Sequence, residues 1–129
     1  MKTTRGGQLK ILLLIIMDFK KLLEELKNTG IVKITGSYAD GTQTEYSDVD
    51  FYIFPDKPDT QFLERRMLKI IVILNKHNIQ WNSTRCGYIS TIHSKNKGLP
   101  IELEFSDAFD KRKNKLNEVE LFGINFKTH

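Results

Sequence analysis

The chain has 129 residues, of which 40% are hydrophobic and 28% are charged. This length and composition suit one globular domain and exclude a collagen-like, mucin-like or wholly disordered chain. The net charge of +4 is compatible with a polyanionic ligand. The sequence lacks, however, the dense stripe of basic residues that is typical of a dedicated DNA-binding protein. A single cysteine, Cys86, excludes an intramolecular disulfide and predicts a reducing, cytoplasmic setting.

An apolar run at residues 11–17 follows a short basic segment near the N-terminus. It is short for the core of a signal peptide, no small-residue cleavage site follows it, and it is well below the about 20 residues that span a bilayer. We therefore expect no membrane role. Two interpretations stay open: the run is a strand or the first turns of a helix, buried against the domain, or the protein starts at Met17 and residues 1–16 are an extension.

The first regular elements alternate between helix and strand. Asp18 is a suitable N-cap for a helix that Gly30 would end, because apolar residues recur at helical spacing between them. A β-branched run at 31–35 predicts a strand, and residues 36–48 predict a loop with room for one helical turn. Residues 49–54 predict a second strand with alternating apolar and polar side chains.

The second half of the chain predicts one long helix and then several strands. Asp59 would cap the helix. Its expected buried stripe consists of Phe62, Leu63, Met67, Ile70, Ile71 and Leu74. Strands are expected from Ile79, at 88–93 and at 100–106, and residues 119–126 could supply a last edge strand. This order predicts a single α+β domain over residues 1–129, with a mixed β-sheet and helices packed on one face.

Two carboxylates mark the start of the strand at 49–54. Asp48 and Asp50 flank one apolar residue, so the pleat places both side chains on the same face. Carboxylates this close repel each other unless a cation lies between them, and Mg²⁺ prefers such oxygen ligands. Taken alone, however, the pair is better explained as an acidic strand end facing solvent.

Two other features could converge with this pair. Gly36 and Ser37 follow the preceding strand, where a glycine permits close approach of a ligand and the serine hydroxyl could hold a phosphate oxygen. In the strand at 100–106, Glu102 and Glu104 alternate with apolar residues. An ordinary half-exposed strand has the same alternation, so convergence depends on this strand lying beside the one that follows Asp48.

Residues 36–51, GSYADGTQTEYSDVDF, resemble the signature of the nucleotidyltransferase superfamily typified by DNA polymerase beta. The closest resemblance is to its small bacterial and phage-type members, which share the pattern G-S-x-A-x-G-x-x-x-x-x-S-D-x-D. The matching positions are Gly36, Ser37, Ala39, Gly41, Ser47, Asp48 and Asp50. With the surrounding elements, the resemblance covers about residues 18–106.

The resemblance implies the nucleotidyltransferase fold and a metal-dependent reaction. In it, a nucleoside monophosphate passes from a nucleoside triphosphate to an acceptor hydroxyl, pyrophosphate is released, and Mg²⁺ or Mn²⁺ is the cofactor. Gly36 and Ser37 would contact the phosphates, and Asp48 and Asp50 would be catalytic metal ligands.

The resemblance also implies a third acid, and two glutamates are candidates for it. Glu102 is the first choice because it stands between Ile101 and Leu103, as the family's apolar–acid–apolar pattern requires, and Glu104 is the reserve. Many members have aspartate at this place. One extra methylene displaces the carboxylate by roughly an ångström, which is enough to change metal geometry.

A second departure concerns the region after the core. Many family members have a helical domain there, whereas only about two dozen residues follow Ser106 in this chain. This favours an alternative: a catalytically silent nucleotide-binding or protein-interaction module, such as an antitoxin-like partner protein. For an active enzyme, a protein acceptor or toxin partner is plausible. A nucleic acid acceptor is supported only weakly, by the basic cluster at 111–115.

Overall fold

The structure, a computed structural model, describes residues 5–54, 60–86, 89–94, 99–107 and 114–129. The expected cap Asp59 and most of the basic cluster at 111–115 lie outside these residues. The elements in chain order are α1 (Arg5–Asn28), β1 (Val32–Thr35), α2 (Gly36–Asp40), β2 (Val49–Ile53), α3 (Thr60–Lys76), β3 (Trp81–Cys86), β4 (Ile89–Ser94), β5 (Leu103–Ser106), β6 (Glu118–Leu121) and β7 (Ile124–Lys127).

Five of the strands form a mixed sheet in the order β1-β2-β5-β4-β3. β2 and β5 pair in parallel, and the other neighbours pair antiparallel. A parallel pair needs a crossover connection, which here contains α3, β3 and β4. The predicted α+β architecture with a mixed sheet is therefore confirmed, and strands far apart in sequence become neighbours at the centre of the sheet.

One face of the sheet carries the apolar core. Side chains alternate along β2, so Val49, Phe51 and Ile53 point to this face and are buried. The rings of Phe51 and Phe105 stack with centroids 5.1 Å apart. They belong to one buried cluster with Leu22, Leu23 and Leu26 of α1 and Met67, Ile70 and Leu74 of α3. The stripe predicted for the long helix is confirmed at these positions, while the side chains of Phe62 and Leu63 lie outside the described residues.

Helix α1 is longer than predicted, because it begins at Arg5 and not at Asp18. Asp18 therefore lies inside the helix and does not cap it. The leucine-rich residues before it are good helix formers, and no proline interrupts them. The run at 11–17 is helical, as one interpretation allowed, but the expectation of burial is wrong: Ile11 is 60% exposed and Leu14 is 59% exposed. Among the described helices, none has the length and apolar character needed to cross a membrane.

The C-terminal residues form a hairpin and not the single edge strand that the sequence predicted. β6 and β7 pair with each other as a separate two-stranded antiparallel sheet. Phe122 and Gly123 join them with φ of 49° and 83°, which suits the tight turns that connect such hairpins. The buried side chains of the hairpin are Val119, Leu121, Ile124 and Phe126.

This C-terminal segment supports the elements that contain the Gly36–Asp50 motif. The backbone N–H of Leu116 donates to the carbonyl of Ala39 in α2 at 2.9 Å, and that of His129 donates to Ile34 in β1 at 2.9 Å. The Phe126 ring also packs edge-on against Phe51, with centroids 5.4 Å apart. The end of the chain thus takes part in positioning both β1 and α2.

Candidate active site

The parallel pairing of β2 and β5 places two carboxylates side by side. Asp50 lies opposite Glu104 in the register of the two strands. They project from the face opposite the core, because both neighbours of each residue along its strand are buried apolar residues. The register therefore makes Asp50 and Glu104 direct neighbours on this face of the sheet.

The electrostatics of Asp50 reflect this crowding. Burial is the largest cause that raises its pKa, and the hydrogen bond and negative charge of Glu104 and the charge of Asp48 raise it further, to about 7. Each of these causes disfavours the ionised carboxylate. A divalent cation would supply positive charge and so favour the ionised carboxylates. Because the side-chain atoms of this pair are oxygens, they fit a cation that prefers oxygen ligands.

Gly36 lies against the Asp50 carboxylate at the junction of β1 and α2. Its φ is +71°, and a Cβ built on it would meet the Asp50 side chain, at 3.2 Å from Cγ and closer still to Oδ2. Only glycine satisfies both the left-handed backbone and this close approach. The glycine that the motif singled out thus allows the backbone to pass directly beside the carboxylate.

α2 continues from this glycine as a short helix of five residues. Its end is fixed at Gly41, which has φ of 72° and donates its N–H to the carbonyl of Ser37. Thr42 donates to the same carbonyl at 3.0 Å. Ser37 itself is half-buried one residue after Gly36, so its hydroxyl belongs to the same end of the sheet as Asp50.

Ser47 closes a turn immediately before Asp48. The backbone N–H of Thr44 donates to the Ser47 hydroxyl at 2.9 Å, and the backbone N–H of Ser47 donates to the carbonyl of Thr44 at 3.1 Å. The motif serine therefore stabilises the backbone that leads into β2. Asp48 follows it, half-buried, and its negative charge adds to the effect of burial in raising the pKa of Tyr38.

The two candidate glutamates occupy different places. Glu104 lies within β5 and pairs with Asp50, whereas Glu102 precedes the strand and is exposed. The carbonyl of Glu102 accepts a hydrogen bond from the N–H of Val49 at 2.9 Å, which fixes the start of the parallel pair. Within the described parts of the chain, no three Asp, Glu, His or Cys side chains form a ready-made metal-binding group. Asp50 and Glu104 are thus a pair, with Asp48 near them.

The strand register continues the Asp50–Glu104 pair as a row of polar side chains across the sheet. This row was not predicted from the sequence. Thr35 lies opposite Asp50 on one side, and His93 lies opposite Glu104 on the other. The Nε2 atom of His93 is 4.0 Å from Oε1 of Glu104. No local pattern marks His93, because its relation to Glu104 exists only once β4 and β5 are paired.

Comparison with solved structures shows that a similar fold is known. The fold is similar to that of the Cid1 poly(U) polymerase in its MgGTP-bound crystal structure, with a TM-score of 0.53 and 15% identity over 71% of this chain and 32% of that one. A second structure of Cid1, reported for its RNA terminal uridylyl transferase activity, matches with a TM-score of 0.49 and 13% identity, over 78% of this chain and 30% of that one. The chain spans about a third of the length of these solved proteins.

A search of curated proteins finds no match. The model of the nucleotidyltransferase domain family matches residues 16–123. These residues include the motif at 36–51 and all five strands of the mixed sheet. The chain therefore belongs to the nucleotidyltransferase domain family, in agreement with the resemblance found in its sequence.

Proposed function

We propose that this domain transfers a nucleoside monophosphate from a nucleoside triphosphate to an acceptor hydroxyl. In this reaction the acceptor oxygen loses its proton to solvent and forms a bond to the α-phosphorus, the bond from the α-phosphorus to the bridging oxygen of the β-phosphate breaks, and pyrophosphate leaves. The observation that supports it best is the Asp50–Glu104 pair, with Asp48 beside it and Gly36 directly against Asp50.

In this proposal Asp48, Asp50 and Glu104 hold the divalent cation. When bound, Mg²⁺ or Mn²⁺ would bind the triphosphate and offset the charge that develops on the leaving pyrophosphate. Glu104 is a better third acid than Glu102, because it lies opposite Asp50 in the register and its charge raises the pKa of that residue. Glu102, exposed before β5, serves as a natural comparison.

The phosphates of the nucleotide would lie near Gly36 and Ser37. Because Gly36 has no side chain, the Asp50 carboxylate lies directly against the backbone that leads into Ser37, where a Cβ would clash with it. The Ser37 hydroxyl is available as a donor at the same junction. This placement would bring the triphosphate and the carboxylates together at one end of β2.

The experiment is a labelling reaction with the full chain. Each of the four nucleoside triphosphates, labelled at the α-phosphate, is incubated with Mg²⁺ or Mn²⁺ and with host lysate as the source of acceptor. We expect one labelled product and released pyrophosphate. Loss of the label on protease treatment identifies a protein acceptor, and loss on nuclease treatment identifies a nucleic acid.

Two glutamine variants test the site itself. Glu104→Gln should abolish the label, whereas Glu102→Gln, the matched control, should retain most of it. Equal loss in both variants would contradict the assignment of Glu104. No labelled product from any nucleotide with either metal would contradict the transferase and favour a catalytically silent nucleotide-binding or interaction module.

A further inference from the structure

The first half of α1 carries an apolar surface that the domain does not cover. We call residues 9–18 of this helix the arm. Its large side chains are exposed, most of them by more than half: Leu9, Ile11, Leu12, Leu13, Leu14, Ile15 and Met17. A helix that is hydrophobic all round is normally buried on more than one side. The arm has this character from residue 11 to residue 17.

The apolar surface of the arm is large for a monomer. Summed over the arm, the exposed apolar side chains leave an area on the order of 700 Å², above the about 300–600 Å² of the largest patch on a typical monomer. Each partner in a stable protein–protein complex buries about 800 Å². A single neighbouring helix covers only the side of the arm that faces it, about half of this area, so the arm supplies part of one side of a stable interface.

One stripe of the arm has a charge pattern that suits a second copy of itself. Lys10, Leu14 and Asp18 are four residues apart, so they lie in line along one side of the helix, and all three are exposed. Leu14 is at the centre, with a cation about 6 Å along the axis in one direction and an anion about 6 Å in the other. Ile11 and Met17 flank this line.

We propose that the arm binds the arm of a second copy of this chain in an antiparallel pair, about a two-fold axis near Leu14. In this orientation, Lys10 of each copy faces Asp18 of the other, and the two Leu14 side chains meet at the centre. Such an interface is self-complementary, as two-fold symmetry requires. A parallel pair would instead place like charges opposite each other.

The same pattern argues against a lipid surface as the occupant. Helices that lie on anionic membranes have a broad polar face rich in Lys and Arg opposite their apolar face. Between residues 9 and 18 the arm has a single cation, Lys10, and Asp18 offsets it. The charges of this stripe are therefore balanced within the arm and suit a copy with the same two charges in reverse order.

The first experiment measures the mass of the full chain in solution by sedimentation equilibrium over a range of concentrations. We expect a monomer–dimer equilibrium that Leu14→Gln shifts to monomer. Leu68→Gln on α3 is the matched control, because Leu68 is equally exposed at 58% but lies outside the arm. A wild-type chain that stays monomeric, or equal weakening by both variants, would overturn the proposal.

The second experiment exchanges the charges. Lys10→Glu and Asp18→Lys should each raise the dimer dissociation constant about tenfold, since each places two like-charge pairs across the interface. Mixing the two variants in equal amounts should restore dimers, which native mass spectrometry would identify as one copy of each. A mixture that remains monomeric would contradict the antiparallel pair. A monomeric wild-type chain that cosediments with phosphatidylglycerol vesicles would show that a lipid surface is the occupant.

Discussion

The carboxylate pair on β2 and β5 and the arm of α1 are opposite exceptions to the usual distribution of side chains. Asp50 and Glu104 bring like charges together in a half-buried place, whereas the arm leaves leucines and isoleucines in water. Each arrangement costs free energy in the isolated chain, and binding can remove that cost: a cation for the carboxylates, apolar surface for the arm.

The two regions differ in what fixes them. The carboxylates occupy their places because Phe51 and Phe105, their neighbours along the strands, are locked in the core. Any change at the carboxylates therefore acts next to side chains that are buried in the core. The arm has no such anchor before Phe19, so its surface can be altered while the core stays as it is. The comparison predicts that substitutions in one region leave the behaviour of the other unchanged.

The largest expected effect is on ligand binding. Replacing both Asp48 and Asp50 by Asn removes the negative charges that a cation would neutralise, so we expect metal-dependent nucleotide binding to weaken by more than about 100-fold, or about 3 kcal/mol. Isothermal titration with nucleotide, with and without Mg²⁺, measures this. The double variant should keep the dimerisation of the arm. Nucleotide binding as tight as in the wild-type chain would show that these acids are not ligands.

The next effect is on stability and concerns Gly36. Gly36→Ala should lower the free energy of unfolding by about 2–4 kcal/mol, because it combines a strained φ with a clash against Asp50. Gly30→Ala is the matched control: φ is +69° there, but nothing lies within 4 Å of the added Cβ. It should cost only about 1 kcal/mol. Urea denaturation separates the two, and equal losses would mean that the contact with Asp50 contributes nothing.

Much of this fold follows from local patterns in the sequence. The alternation around Phe51 predicted β2 with Asp48 and Asp50 on one face, and the helical spacing of Ile70 and Leu74 predicted the buried stripe of α3. The motif also predicted Gly36 as a place of close approach to the backbone. In each case, the residues that decide the structure are within a few positions of one another.

What the sequence could not predict depends on contacts between distant segments. Glu102 and Glu104 fit the same local alternation, and only the pairing of β5 with β2 places Glu104 opposite Asp50. His93 joins the row for the same reason. The exposure of the arm was missed because an apolar run indicates burial without indicating which molecule supplies the covering surface.

A smaller effect is the dependence of stability on pH. Burial and the neighbouring carboxylates raise the pKa of Asp50 from 3.8 to about 7. The folded state therefore binds this proton more tightly than the unfolded state does. Its contribution to stability is full below about pH 4 and is lost as the pH rises to 7. Because the group is partly solvated, we expect a loss of about 1–2 kcal/mol.

Asp50→Asn isolates this contribution. The variant should lack that part of the pH dependence, so that at pH 8 it melts at a higher temperature than the wild-type chain in the presence of a chelator. Saturating Mg²⁺ should reduce the difference, because the cation offsets the charge that the wild-type pair carries at this pH. A wild-type chain that is equally stable at pH 5 and pH 8, with the same profile as the variant, would contradict the raised pKa of Asp50.

The smallest expected effect concerns Ser47, which belongs to the carboxylate region but touches no carboxylate in the described contacts. Its hydroxyl accepts the backbone N–H of Thr44 at 2.9 Å and so stabilises the turn before Asp48. Ser47→Ala should lower the free energy of unfolding by about 0.5–1 kcal/mol, the net value of one such hydrogen bond at an exposed turn. Ser47→Thr, which keeps the hydroxyl, should lose less stability.

The same turn leads into Asp48, so it can also position that carboxylate. In that case Ser47→Ala should weaken metal-dependent nucleotide binding several-fold, which is more than its small effect on stability accounts for. Ser47→Thr should bind nucleotide as the wild-type chain does. Thermal melting and nucleotide titration on the same three proteins measure both quantities. A loss of stability with unchanged nucleotide binding would limit the role of this serine to the turn itself.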